Sequence, residues 1–176
     1  MRGPKFEVDG GSIGVGGQQI SFRPKKEDRE IAYRIWIELS TRKIGLTIDL
    51  EQDVITEVYD SWYAFFGIVR EILKEIPARE LKDKGTHEIV RMSVELLNSG
   101  LRPHLTRWQA KFRCWHARAK ESGEYSDMTP QEMQKQFPHY DQLEGDLMQV
   151  NIYLQNYRDK MYELATAGGH QKIKPE

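Results

Sequence analysis

Cysteine is nearly absent: Cys114 is the single one in 176 residues. An internal disulfide framework and every zinc site built on a cysteine cluster are thereby excluded, and the reducing cytoplasm is the expected compartment. Histidine is sparse too. His87, His104, His116, His139 and His170 form no His-x3-His or Glu-x-x-His pair, so no metal site is expected. Apolar runs are short, far below the roughly 18 residues that cross a bilayer, so no membrane span is expected. Charge of either sign is scarce in the total, which is −1; nucleic-acid domains are usually strongly basic overall.

The balance hides a segregation. Residues 1–46 carry +3, residues 47–95 carry −5, residues 96–120 carry +6 and residues 121–176 carry −5. Blocks of alternating sign predict that the basic stretch lies beside acidic neighbours. With 30% charged and 39% hydrophobic residues, the composition is that of a helix-rich globular protein.

The first residues read differently from the rest. Phe6 and Val8, Ile13 and Val15, and Ile20 and Phe22 alternate with small or polar residues, separated by Asp9-Gly10-Gly11 and Gly16-Gly17. This predicts a small β-hairpin appendage over 1–24, closed by Pro24. The glycines superficially suggest a phosphate loop, but the third glycine of a dinucleotide pattern would fall on Gln19 and no Gly-Lys-Ser/Thr follows. Turn chemistry explains them better.

From Glu27 the period becomes helical. Ile31, Ala32, Ile35, Trp36 and Leu39 form a stripe, with Asp28 as the expected cap and Gly45 as the stop. A second helix is expected from Asp49, with Glu51 and Asp53 in its dipole-favoured first turn. Its seam runs Ile55, Val58, Trp62, Phe65, Val69, Ile72 and Ile76 at alternating spacings of three and four, and Pro77 closes it. A charged link follows, and Thr86 is the expected cap of a third helix. That seam passes Asn98-Ser99-Gly100 and Pro103, where a kink or a break is expected. Thr129-Pro130-Gln131-Glu132 is a start signal for a short helix. Leu143, Leu147, Val150, Leu154, Tyr157, Met161 and Leu164 mark a last long helix before Gly168-Gly169. The expectation is a mainly α protein: an antiparallel four-helix bundle of long helices over 25–167, with the hairpin before it and a flexible tail at 168–176.

The segment from Leu96 to Lys120 holds six Lys or Arg and no acid. Leu101, Leu105, Trp108, Phe112 and Trp115 recur along one side of it. Two readings compete. In one, the aromatics are buried and the cations pair with acids of the second and last helices. In the other, Arg102, Arg107, Lys111, Arg113 and Arg118 bind a nucleic acid or a phosphorylated ligand, with an exposed indole for stacking. Heptad registration favours burial.

A divalent-ion site among Asp49, Glu51, Asp53, Glu57 and Asp60 is disfavoured against a solvated acidic face. Cys114 and His116 are two apart and point to different sides of a helix, so they form no nucleophile–base pair. No catalytic residue, metal ligand or cofactor is assigned. Tyr59, Trp62, Tyr63 and Phe66 crowd the second helix beyond what one seam buries, and Tyr153 lies among the tyrosines of the last. These five are the expected interface residues. The functional expectation is a non-enzymatic interaction or regulatory module that oligomerises or docks on a protein partner, with nucleic-acid or phospho-ligand binding through 102–120 as the alternative.

Overall fold

Periodicity carries through to packing in a mainly helical structure. The computed structural model describes residues 23–167, preceded by the backbone of short segments Val8–Asp9, Ser12–Val15 and Gln18–Ser21, paired antiparallel in that order. The rest of the expected 1–24 hairpin and the 168–176 tail lie outside the described residues. The helices are α1 (Lys26–Thr41), α2 (Ile55–Lys74), α3 (Lys84–Glu95), α4 (Ala110–Ser122), α5 (Pro130–Gln134) and α6 (Tyr140–Thr166).

Between α3 and α4 the chain stays helical. Leu96–Leu101 and Leu105–Gln109 are π-wide turns on either side of the single α turn Arg102–His104, so Lys84 to Ser122 forms one rod. Pro103 lacks the N–H that an α ladder needs, and a widened turn is a standard way to accommodate such a gap. The expected kink or break is therefore a pair of bulges. Leu96, Leu97, Leu101, Trp108 and Phe112 are buried along the rod.

The helix starts differ from expectation in three places. Asp28 is not the cap of α1 but sits inside its first turn. One carboxylate oxygen accepts from Lys25 N at 3.0 Å, and the other accepts from the Thr86 hydroxyl at 2.7 Å. Thr86 is spent on that bond, and Asp83 caps α3 instead, accepting from Gly85 N and Thr86 N. α2 begins at Ile55, six residues after the expected Asp49. Asp49 Oδ1 accepts from Glu51 N and Asp49 N donates to Asp53 Oδ2, and such local bonds compete with the helix ladder. The capping box at Thr129 and Glu132 forms as its sequence predicts.

α1 lies along α6 in the opposite sense. Arg29, near the start of α1, donates to Ala167 O past the end of α6, whereas Arg158 donates to Gly45 O beyond the end of α1. α1 also packs on α2 and α3, and α6 packs on the bulged part of the rod. Two buried amides fasten the connection between α1 and α2. Gln134 accepts from Ile55 N at 2.9 Å and donates to Leu50 O and Asp53 O. Asn151 accepts from Ile48 N and donates to Leu46 O at 2.8 Å. With these polar ends satisfied, Ile44, Ile48 and Leu50 can be buried in a segment without helix.

Among the described residues no helix is long and apolar enough to cross a membrane.

Candidate functional site

The basic rod is built inward from its aromatics. Trp108 and Phe112 are buried, Trp115 half-buried, and Phe137 from the turn after α5 meets all three rings, with centroids 5.4–6.5 Å away. The Trp108 indole N–H donates to Asp146 Oδ2 of α6 at 2.6 Å. Arg107 donates to the same oxygen at 2.9 Å, and its guanidinium lies 4.9 Å from the Trp108 ring centre.

The five cations singled out by sequence do not converge on one open face. Arg107 pairs with Asp146 on α6, whereas Arg113 pairs with Asp60 on α2. Arg102 lies over the Phe66 ring, bonding Asn98, and Lys111 lies over Trp108. Arg118 is exposed and forms no ion pair among the described residues. The acids of the candidate ion site disperse likewise: Glu51 pairs with Lys135, Asp53 with Lys43 and Asp60 with Arg113. Among the described residues no group of three or more His, Cys, Asp or Glu is placed to hold a metal.

The expected interface set divides. Tyr59 and Trp62 are fully buried and so are core residues, not surface ones. The rod supplies the cover that a single-helix count misses: Tyr59 meets Phe112 edge-on at 6.3 Å and Trp62 meets His104 at 5.4 Å. Phe66 and Tyr153 are half-buried, and Tyr63 is 69% exposed.

Two features escaped the sequence reading. The first is an aromatic strip across α1 and α6. Trp36 lies 5.9 Å from Tyr33 on its own helix and 5.3 Å from Tyr162 on the other. Tyr33 is 49% exposed and Tyr162 50%. The spacing of Tyr33 and Trp36 along one helix was visible; their meeting with Tyr162 was not.

The second is His104, buried between the two bulges. Its Nε2 lies 3.1 Å from the Tyr59 hydroxyl, and its Nδ1 has no partner among the described residues. Burial lowers the imidazole pKa to about 4, with Asp146 opposing that shift and Arg107 adding to it. Burial raises the Tyr59 hydroxyl well above its usual range, so both groups are neutral at pH 7. His116, on α4, is also lowered by burial and then by Lys120.

No protein-family model matches the chain, and no curated protein or solved structure shows significant similarity to it.

Proposed function

We propose that this protein is a non-enzymatic helical module that works by binding protein, and that the Tyr33–Trp36–Tyr162 strip is its contact face. In this reading the long helices form an antiparallel four-helix bundle, for which the opposed run of α1 and α6 is the main support. The observation that carries the proposal is the strip itself. Tyrosine and tryptophan dominate interface energetics, and here three rings touch in a row across two helices while two of them are half bare.

The occupant we assign is a second copy of the chain. A two-fold interface sets a face against itself, so its rim must offer both signs. The helices bearing the strip do so: Arg158 with Asp159, and Lys160 with Glu163, run along α6, while Glu30 and Arg34 stand on α1. Nucleic-acid or phospho-ligand binding through 102–120 is the weaker reading, because Arg107 and Arg113 are already engaged by carboxylates.

Light scattering across a concentration series tests the proposal. The wild type should approach the mass of a dimer. The double variant Tyr33→Glu/Tyr162→Glu should stay monomeric with an unchanged helical spectrum, since both side chains are exposed. A wild type that is monomeric throughout, or a variant with undiminished mass, overturns it.

A further inference from the structure

A groove of about 430 Å³ runs between the bulged part of the rod and α6, within the size range of small-molecule sites. Its shape follows from the sequence. The two π-wide turns carry Ser99, Gly100, Pro103, His104 and Arg107 along one wall, and α6 supplies Asp146, Gln149, Val150 and Tyr153 along the other. Gly100 leaves space for the Tyr153 ring, because a Cβ there would lie 2.6 Å from that ring.

The polar groups are few and specific. His104 is 4% exposed, lines the groove and has an Nδ1 without a partner. A buried ring nitrogen in that state is costly unless something outside the protein fold meets it. Its tautomer follows from Tyr59. An imidazole nitrogen is a better acceptor than a phenol oxygen, so the Tyr59 hydroxyl donates to Nε2 and the proton of the neutral ring sits on Nδ1. The groove therefore offers an N–H from its floor. One turn further along, Arg107 spends one N–H on Asp146 and keeps others for an acceptor.

We infer that this groove binds a small organic monocarboxylate. The carboxylate accepts from His104 Nδ1–H and from Arg107, and the apolar body lies along Pro103, Val150 and the Tyr153 ring. Guanidinium and carboxylate are matched in geometry. The charge of the ligand is limited by the walls: Asp146 and Glu95 also line the groove, so a polyanion such as a nucleotide triphosphate would meet two carboxylates. A neutral amide of the same shape keeps an oxygen acceptor but lacks the charge that Arg107 rewards.

Benzoate and hexanoate, each against its amide, are the probes. Nitrogen-15 spectra of the imidazole rings and titration calorimetry are the readouts, on the full chain. The acids should move the His104 ring signals in a saturable way, and the amides should bind roughly ten-fold more weakly or less. Arg107→Gln, at an exposed side chain, should reduce acid affinity roughly ten-fold while leaving amide binding unchanged. His104→Gln provides a second variant with a similar loss. The inference fails if the acids leave the His104 signals unmoved, if amides bind as tightly as acids, or if Arg107→Gln leaves acid affinity unchanged. It also fails if the free protein carries its His104 proton on Nε2.

Discussion

Replacing His104 by glutamine should remove much of the protein's sensitivity to mild acid. The side chain is neutral in the fold, with its pKa depressed from 6.5 to about 4 by burial. In the unfolded chain it regains an ordinary value and takes up a proton as pH falls through 6.5. Between 6.5 and 4 the unfolded state therefore binds more protons than the folded one, and stability falls with falling pH. Below about 4 both states are protonated and the slope vanishes. A tenfold difference in proton affinity between the two states corresponds to about 1.4 kcal/mol. From pH 7 to pH 5 the loss from this one group is about 2 kcal/mol, a sizeable part of a domain's total.

Urea unfolding at pH 7, 6 and 5 measures it. That window lies above the carboxylate range, so Glu75 and Glu80, whose pKa values are lowered by their Arg34 and Lys25 partners, stay ionised throughout. His116 is shifted in the same direction, so His116→Gln belongs beside it as a control. The slope against pH is the quantity to compare, because His104→Gln also changes stability at pH 7 through Tyr59. Equal slopes for wild type and His104→Gln would refute the reasoning. So would a His104 resonance that titrates near 6.5 in the folded protein.

The remaining predictions concern packing. Gln134→Leu keeps the volume but strands Ile55 N, Leu50 O and Asp53 O, so urea melts should show a loss of about 2–4 kcal/mol. Gly100→Ala forces the Tyr153 ring aside and should cost about 1–3 kcal/mol by the same measurement, with weakened benzoate binding as the groove deforms. Tm differences by calorimetry should rank the two in the same order.

Which residues face inward was readable from spacing. Of the α2 seam, Ile55, Val58, Trp62, Phe65, Val69 and Ile72 are buried, as are Leu143, Leu147, Leu154, Tyr157, Met161 and Leu164 of α6. Periodicity reports one helix at a time, and the errors arise where a second element decides. Tyr59 and Trp62 looked surplus because nothing in α2 shows that Phe112 and His104 meet them from the rod. The start of α2 moved because Asp49 and Asp53 bond to local backbone and Gln134 takes the Ile55 N–H from a distance of 79 residues. Thr86 fits a cap by type, but its hydroxyl had a better partner in Asp28. The strip of Tyr33, Trp36 and Tyr162 joins residues more than a hundred positions apart, beyond any local pattern. Charge segregation was the long-range signal that did carry: the blocks of opposite sign meet at Arg107–Asp146 and Arg113–Asp60.

The two bulges give the rod a property that a plain helix lacks. Each holds one residue more than an α turn needs, and that residue sets the angular phase of everything downstream. Deleting Asn98 alone would let the first bulge relax to an ordinary turn and swing the remainder by about 100°. Trp108 and Phe112 would then point to water and Arg107 and Arg113 would leave their acids, so chain length in this stretch is under as tight a constraint as side-chain identity.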